Sequence, residues 1–361
     1  MRILVAPDKY AGTLTAVEAA EAIATGWSRT APDDEIVQVP MSDGGPGFVD
    51  VLHAALGGDL LSVTVTGPHG APVPATVLIR GSQAWVESAQ ACGRHLVADV
   101  ETASTVGVGE LMLAARDAGA TEIHVGLGGS GSNDGGAGLL AALGATSSPA
   151  AALTGGVRGL ETLAGIDLSA AREWAAGVRL VAASDVDNPL TGLFGATRTY
   201  GPQKGLAEER LPAVDAVLEA FAVRTDRRTS LEPGAGAAGG LGFALLLLGA
   251  ERRAGVDLVA DAVGLADRAG DADLVLTGEG AFDFSSRSGK VPYGVAKVAA
   301  DRLRPCVALA GRVLVGSREM RALGIESAYA MVDLVGEERS MSDPHGALAD
   351  LAARVARTWS H

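Results

Sequence analysis

The sequence predicts an α/β protein in which a flavodoxin-like parallel sheet domain is interrupted by a second, inserted α/β domain. Strands and helices alternate over the first sixty residues, and the same alternation returns from about residue 256. The segment between them has shorter, alternating strands and long glycine-rich loops. A chain of 361 residues also exceeds the length at which one hydrophobic core keeps growing. We therefore expect a discontinuous domain, residues 1–61 plus 256–361, and an inserted domain, residues 62–255.

Short apolar runs predict five parallel strands in the first domain, at residues 3–6, 35–39, 274–277, 307–310 and 327–332. Each run ends in a polar or glycine-bearing segment, which is typical of strands buried on both faces. Apolar residues at helical spacing predict helices at 15–28 and 46–56. Thr15 and Glu18 stand three residues apart at the start of the first helix, the spacing of a capping box.

The inserted domain has a different strand pattern. Alternating strands are predicted at residues 61–65, 75–79 and 84–87, which indicates antiparallel or mixed pairing. Two apolar strands, 123–127 and 178–183, end in polar loops. In open parallel sheets, ligands bind beyond the carboxyl ends of the strands. The loops at these ends therefore predict an active site in the inter-domain cleft, with contributions from Asp8, Asp43, Glu279, Arg312, the glycine loop 126–138, Asp185 and Asp187.

Composition and charge argue against several classes of partner. The net charge is −14 with no block of lysine and arginine, which disfavours nucleic acid and anionic membranes. Two cysteines give no disulfide framework and indicate a reducing compartment. The N-terminal apolar run is too short for a signal peptide, and the run 241–250 is shorter than the about 20 residues that span a bilayer. We expect a cytoplasmic protein, and homo-oligomers are left open.

The stretch GLGGSG at residues 126–131 matches a dinucleotide fingerprint that follows an apparent strand. That fingerprint requires an acidic residue about 20 positions later, and residues 146–156 contain none, so the nicotinamide interpretation fails. The P-loop pattern G-x-x-x-x-G-K-[ST] is also absent. A glycine loop between a strand and a helix can still bind phosphate through its amides. The alternative is a tight turn capped by Asn133 or Asp134.

Charged residues in other loops are further candidates. Asp185 and Asp187 follow a predicted strand, where a carboxylate can hold magnesium or accept a proton; the alternative is an Asx turn before Pro189. Lys204 lies between glycines and can meet phosphate or carboxylate, although a solvated lysine is the commoner case. The loop 277–283, with Arg287 and Lys290 after it, forms a mixed-charge patch.

Spacing argues against two other kinds of site. Cys92 and His95 lie three residues apart, but no oxyanion loop accompanies them, so a nucleophilic cysteine is disfavoured. Six scattered histidines and two distant cysteines give no zinc spacing.

Taken together, the loops resemble those of the type I glycerate kinase family, the bacterial glycerate 2-kinases. The matching segments are APDKYAGTLTAVEAAEAIATG at 6–26, PMSDGGPG at 40–47, GLGGSGSNDGGAG at 126–138, SDVDNPLTG at 184–192, GPQKG at 201–205, PGAGAAGGLG at 233–242 and TGEGAFD at 277–283. They occur in family order and cover essentially the whole chain. The resemblance implies a two-domain kinase that uses ATP and Mg²⁺ to phosphorylate D-glycerate to 2-phosphoglycerate.

For such a kinase, we expect individual residues to have the following roles. The ATP phosphates would bind to the segment Gly128, Gly129, Ser130, Gly131, Ser132, Asn133 and Asp134. Magnesium would bind Asp185 and Asp187, and the catalytic residues would be Asp187, Asp43 and Lys204. The substrate would contact Asp8, Lys9, Glu279, Asp283, Arg287 and Lys290.

Three positions depart from the family pattern. Ala11 stands where the family has lysine before Gly12, Pro46 replaces a glutamate, and Ala281 replaces an arginine. One hypothesis is that Lys9 and Arg287 supply the missing positive charge. The altered loops leave open a kinase for another small hydroxy acid or polyol. A non-catalytic nucleotide-binding or ligand-binding protein on the same scaffold is the rival from a different class.

Overall fold

The computed structural model describes residues 1–10, 12–283 and 290–360. The strands are β1 (Arg2–Val5), β2 (Glu35–Gln38), β3 (Asp59–Thr66), β4 (Pro72–Arg80), β5 (Gln83–Glu87), β6 (Glu122–Gly126), β7 (Thr146–Ser148), β8 (Gly165–Asp167), β9 (Arg179–Ala183), β10 (Glu251–Arg253), β11 (Leu274–Phe282), β12 (Cys306–Val313) and β13 (Ser327–Ala330). The helices are α1 (Ala16–Thr30), α2 (Phe48–Leu56), α3 (Ser88–Cys92), α4 (Val106–Asp117), α5 (Ala137–Ala142), α6 (Gly156–Leu160), α7 (Ser169–Ala175), α8 (Ala196–Tyr200), α9 (Leu211–Thr225), α10 (Leu241–Leu247), α11 (Gly255–Ala262), α12 (Leu265–Gly270), α13 (Val291–Asp301), α14 (Ser317–Ala322), α15 (Met331–Ser342) and α16 (Pro344–Trp359). Among the described residues, no helix is both long enough and apolar enough to span a membrane.

The first compact unit comprises Met1–Asp43, Asp50–Gly57 and Gly255–His361. Its sheet has five parallel strands in the order β13-β12-β11-β1-β2. Strands β1 and β11 are neighbours, with Ile3 opposite Leu274. Counted within this unit, the order is 2-1-3-4-5, which is the flavodoxin-like arrangement. The predicted fold class is therefore confirmed, and the point where the strand order reverses lies between β1 and β11.

Helix α1 packs against α16 over one face of this sheet. Trp27 and Ile23 of α1 are fully buried, as is Leu348 of α16. At Gly26 the two helices approach so closely that a Cβ atom would lie 1.9 Å from the carbonyl oxygen of Ala349. The predicted capping box is confirmed. The hydroxyl of Thr15 accepts from the Glu18 amide at 3.2 Å, and the Glu18 carboxylate accepts from the Thr15 amide at 2.8 Å.

The second compact unit comprises Gly44–Val49 and Gly58–Ala254. Its six-stranded sheet has the order β10-β9-β6-β5-β4-β3. Strands β3, β4 and β5 pair antiparallel, whereas β5, β6, β9 and β10 pair parallel, so the expected mixed pairing is present. Three strands were not predicted: the edge strand β10, with the polar sequence ERR, and the short antiparallel pair β7 and β8. None of the three contains the apolar run by which the other strands were recognised.

Strands β11 and β12 continue beyond their predicted ends. Residues 278–282 were predicted as a loop because of their glycines, but they extend β11 and pair with β12 as far as Phe282 opposite Val313. A Cβ atom at Gly278 would lie 2.0 Å from the Leu309 carbonyl oxygen, and one at Gly311 would lie 2.4 Å from the Gly280 carbonyl oxygen. The glycines therefore allow close approach of two strands, and the loop prediction was wrong here.

Candidate active site

Asp8 lies at the switch point of the first unit's sheet. The chain leaves β1 at Val5, and the Asp8 amide donates to the carbonyl oxygen of Gly278 on β11 at 2.8 Å. The Asp8 side chain is buried. Its Oδ1 accepts from the Lys9 amide at 2.7 Å and lies 3.5 Å from the Lys9 ammonium. The sequence thus places a buried carboxylate where α/β proteins commonly bind ligands.

Lys9 links Asp8 to the loop that follows β2. Its Nζ lies 3.3 Å from Asp43 Oδ1. Burial by itself would lower the pKa of Lys9, but Asp8 and Asp43 outweigh it, so the pKa is raised and the ammonium stays charged. For Asp8, burial is the main cause and raises its pKa to about 7, with Lys9 opposing the shift and Asp43 and Glu279 adding to it. The structure therefore brings these three predicted residues together.

A second charged group in the same unit involves Lys290, directly before α13. Its Nζ lies 3.7 Å from Oε2 of the buried Glu279 and 3.8 Å from Oδ1 of Asp283. Both distances exceed the length of a hydrogen bond, so these are loose ion pairs. Arg287, also predicted to contact substrate, lies outside the described residues, as does Ala11.

Ala281 borders a cavity of about 200 Å³ in this unit. The lining includes Tyr10, Arg312 and Met331, and Arg312 forms an ion pair with Glu337. An arginine in place of Ala281, as in the family pattern, would project a long side chain at this position. Among the described residues, the departure from the pattern thus coincides with open space.

In the second unit, packing explains the glycines of the loop between β6 and α5. A Cβ atom at Gly128 would lie 2.4 Å from Gly45 Cα, and one at Gly126 would lie 2.6 Å from the Gly44 carbonyl oxygen. The Gly128 amide donates to that same carbonyl at 3.0 Å. Gly129 has a φ of +75°, which strongly favours glycine, and it is the exposed residue of the loop. Glycine is therefore required at these positions by close backbone contacts and a positive φ, independently of ligand binding.

Lys204 is buried beneath this loop. Its ammonium donates to the Ser132 carbonyl oxygen at 2.6 Å, and the hydroxyls of Ser130 and Ser132 lie 2.9 Å apart beside it. Burial lowers the pKa of Lys204 to about 8, against the smaller opposing effects of Cys92 and Asp134. The alternative of a solvated lysine is therefore wrong.

Asp134 anchors the end of the loop. Its fully buried carboxylate accepts from the Thr105 amide at 2.9 Å, the Thr105 hydroxyl at 2.8 Å, the Gly136 amide at 2.9 Å and the Gly138 amide at 3.2 Å. Burial raises its pKa, and these four hydrogen bonds oppose the shift. The contacts to Gly136 and Gly138 cap the start of α5, as the turn alternative expects. The neighbouring Asn133 donates to the Thr197 hydroxyl at 3.0 Å.

The two predicted metal ligands follow β9. Asp187 is 78% exposed in its side chain, and its Oδ1 lies 2.6 Å from Nη2 of Arg252; Asp185 is half-buried. Among the described residues, no three His, Cys, Asp or Glu side chains converge as a metal site. Magnesium commonly binds through one or two carboxylates together with substrate phosphates. Two carboxylates in one loop fit that ligand set.

Sequence reasoning missed two residues that organise the second unit. The buried Glu87 accepts from the Gly47 amide at 3.0 Å and so holds the segment that carries Pro46. Its position at the end of β5, beside β6, was the available signal. Thr105 connects Asp134 to α5 by also accepting from the Leu139 amide at 3.0 Å, and nothing in its sequence surroundings indicated this.

The chain combines a flavodoxin-like sheet that has buried charges at its switch point with a second α/β unit that carries an anchored glycine loop. Comparison with known proteins finds matches along nearly its whole length. The glycerate kinase family model matches residues 3–360. The chain is 40% identical to the glycerate kinase of Bacillus subtilis strain 168 over 345 residues, covering 92% of this chain and 90% of that protein. It is also 40% identical to the glycerate 2-kinase of Escherichia coli K12 over 349 residues, covering 93% and 92%.

A solved structure agrees. A crystal structure assigned as glycerate kinase 2 from Salmonella typhimurium LT2 superposes with a TM-score of 0.82 at 36% identity, covering 99% of this chain and 98% of that one. The comparisons place the protein among the phosphotransferases that have an alcohol group as acceptor. Within that class, the chain belongs to the glycerate kinase family.

Proposed function

We propose that this protein transfers the γ-phosphate of ATP to the 2-hydroxyl of D-glycerate and so forms 2-phosphoglycerate. The observation that carries the proposal is the 40% identity to a glycerate 2-kinase over 93% of the chain. The glycerate kinase family model, which matches residues 3–360, includes each of the loops described above. Phosphoryl transfer needs positioning and charge neutralisation more than covalent chemistry, so the roles of the residues concern charge and geometry.

In a protein of net charge −14, positive charge for an anionic substrate must be local. Lys290 is suited to the glycerate carboxylate because its ammonium reaches two carboxylates only as loose ion pairs, at 3.7 and 3.8 Å. Lys9 is held close to Asp8 and Asp43 and would orient both. Glu279 and Asp283 keep Lys290 in place, and Arg287 remains a proposed substrate contact on sequence alone.

The nucleotide phosphates are proposed to lie on the glycine loop. Within the part of the chain that the structure describes, the amides of Gly129 and Ser130 donate to no protein acceptor. These two amides suit an anion at a strand-to-helix turn, and Gly128, whose own amide donates to the Gly44 carbonyl oxygen, would hold the turn beside them. The buried remainder of the loop, Gly131 to Asp134, and Lys204 beneath it would then hold those amides in position.

Magnesium is proposed to bind Asp185 and Asp187 together with the nucleotide phosphates. A bound cation would replace the Arg252 guanidinium as the partner of Asp187, which is exposed enough for that exchange. When bound, magnesium neutralises phosphate charge. Asp43 would keep Lys9 charged during the reaction.

The test is identification of the product. Purified protein with ATP, Mg²⁺ and D-glycerate should release ADP, and phosphorus NMR should show 2-phosphoglycerate. L-glycerate and reactions without acceptor or magnesium serve as controls. ADP release with formation of 3-phosphoglycerate would contradict the assigned hydroxyl. Binding of ATP without turnover on any acceptor would favour the non-catalytic rival.

A second candidate, a kinase for a larger hydroxy acid, is favoured by the space beside Ala281. The cavity of about 200 Å³ there includes Arg312, whose guanidinium would exchange its ion pair with Glu337 for a second carboxylate of the substrate. A substrate panel that adds hydroxy diacids and polyols separates the two candidates. A kcat/KM for a diacid above that for D-glycerate would make this the better assignment.

A further inference from the structure

We propose that Asp8 is the proton acceptor of the reaction, taking the proton from the glycerate hydroxyl as that oxygen attacks the γ-phosphate. The inference rests on the proposed function. It assigns to Asp8 the role of proton acceptor, for which the sequence had suggested Asp187. It is drawn from the position of Asp8, the use of its two oxygens and the charges around it.

Asp8 is held rigidly at the switch point. Its own amide bonds to the Gly278 carbonyl oxygen at 2.8 Å, and the Thr277 hydroxyl donates to the Ala6 carbonyl oxygen at 2.9 Å. The segment that follows β1 is therefore fixed to β11 up to and including Asp8. A catalytic group needs such fixed geometry because small displacements of reacting atoms cost large factors in rate.

The two carboxylate oxygens of Asp8 have different surroundings. Oδ1 takes both Lys9 contacts, from the amide at 2.7 Å and from the ammonium at 3.5 Å. Among the described residues, no donor is hydrogen-bonded to Oδ2. One oxygen is thus used to orient the carboxylate, and the other is available for a substrate hydroxyl.

The surrounding charges tune Asp8 for proton transfer. A general base works best when its pKa is near the working pH. Burial raises the pKa of Asp8 to about 7, the Lys9 ammonium opposes this, and Asp43 and Glu279 reinforce it. Tyr10, packed next to this group, is fully buried and donates its hydroxyl hydrogen to the Leu309 carbonyl, so it remains neutral.

Asp187 has the opposite environment. Its side chain is 78% exposed and lies 2.6 Å from the Arg252 guanidinium. An exposed carboxylate paired with a surface cation suits a metal ligand, because a bound Mg²⁺ can take the place of that cation.

In the proposed step, a lone pair of the glycerate 2-oxygen forms the new bond to the γ-phosphorus. The bond from that phosphorus to the bridging oxygen breaks, and ADP leaves with its electron pair. The hydroxyl proton moves to Asp8 Oδ2 and is later released to water. Lys9 stabilises the carboxylate before transfer and stays protonated throughout.

The test compares Asp8→Asn with wild type over a range of pH. The wild-type kcat should fall about tenfold per pH unit below the pKa of Asp8, near pH 7. In D8N this acidic limb should disappear, and kcat at pH 8 should fall by at least about 100-fold, as expected for loss of a general base. The KM for ATP should not change. Thermal unfolding should show D8N to be at least as stable as wild type at pH 8, because it removes a buried charge.

Two matched variants give the controls. Asp34 is a similarly buried aspartate of the same unit that holds the N-terminal amine and the Trp27 indole, so D34N should lower the unfolding temperature and keep the acidic limb. D187N should raise the magnesium concentration needed for half-maximal rate and also keep the limb. An acidic limb that persists in D8N, or a D8N defect confined to the KM for glycerate, overturns the inference. If D8N gives either of these results but wild type still forms phosphoglycerate, the proposed function stands and only the role of Asp8 is overturned. If wild type turns over no acceptor, the proposed function and the role of Asp8 are both overturned.

Discussion

Replacing Asp134 with asparagine tests whether the buried end of the glycine loop is a structural anchor. Three of its four hydrogen bonds reach Oδ2 and one, from the Gly136 amide, reaches Oδ1. Asparagine would keep its oxygen at the Oδ2 position and turn its NH₂ group toward Gly136. A buried N–H would lose its acceptor at a cost of about 1–3 kcal/mol, and three charge-assisted bonds would become neutral. Removing a buried charge offsets part of this loss, which leaves a destabilisation of about 2–4 kcal/mol.

The assay is thermal and urea unfolding of wild type and D134N, with kinetics in parallel. For a unit of this size the loss corresponds to a fall in Tm of roughly 4–16 °C. The KM for ATP should stay within about threefold at a temperature where both proteins are folded. An unchanged Tm combined with a KM for ATP raised tenfold or more would refute the argument and make Asp134 a direct ligand of the nucleotide.

Three further predictions concern a buried lysine, a glycine between two strands and a lysine proposed to contact the substrate. Burial lowers the pKa of Lys204 from 10.5 to about 8, so between these two pH values the unfolded state binds more protons than the folded state. The free energy of unfolding of wild type, relative to that of Lys204→Met, should therefore rise by about 3 kcal/mol between about pH 7 and about pH 11. Urea titrations at several pH values measure this difference. Gly278→Ala places a Cβ atom 2.0 Å from a backbone oxygen of β12 and should lower the free energy of unfolding by more than about 3 kcal/mol. Gly165→Ala, whose Cβ atom would have no atom within 4 Å, should lower it by less than about 1 kcal/mol. Equal losses of stability in the two variants would contradict this prediction. Lys290→Ala should raise the KM for glycerate at least about tenfold and leave that for ATP unchanged, whereas Lys297→Ala, exposed on α13, should match wild type in steady-state kinetics.

The parallel sheet was predictable because each of its strands is short, apolar and followed by a polar segment. The front segment supplies β1 and β2, and the back segment supplies β11 to β13, so their pairing into one sheet followed from the interrupted alternation. The capping box of Thr15 and Glu18 was equally local and was confirmed. Such features depend on a few neighbouring residues, and a single sequence contains them.

The extension of β11 through residue 282 was not predictable by the same means. Glycine is rare within strands, and so GEG indicated a loop. The strand exists because Gly278 and Gly311 let β11 and β12 approach closely, a contact between residues more than thirty positions apart. Strand β10 was missed for a related reason. Its charged residues sit on a sheet edge, where pairing with β9 replaces the need for an apolar run.

The candidate site shows the same division. The sequence identified loops that carry charge and glycine, but not which side chains face each other. Lys9 was predicted as a substrate contact that replaces a missing lysine, and its ammonium lies near both Asp8 and Asp43. The burial of Lys204 on the Ser132 carbonyl oxygen had no local signal, because GPQKG is an ordinary exposed-turn sequence.

Three aspartates that look alike in sequence are separated by burial and by their donors. Asp134 is fully buried with four hydrogen-bond donors, so its carboxylate is fully used in holding the loop. Asp187 is exposed beside a guanidinium and is suited to exchange that partner for a cation. Asp8 is buried, its donors in the described part of the chain lie on one oxygen, and burial brings its pKa to about 7. A structural anchor needs hydrogen-bond donors on both carboxylate oxygens, and a metal ligand needs to be accessible to the cation. A general base needs one oxygen that can accept the substrate proton and a pKa raised toward the working pH. Of the three, Asp8 alone meets the last requirement.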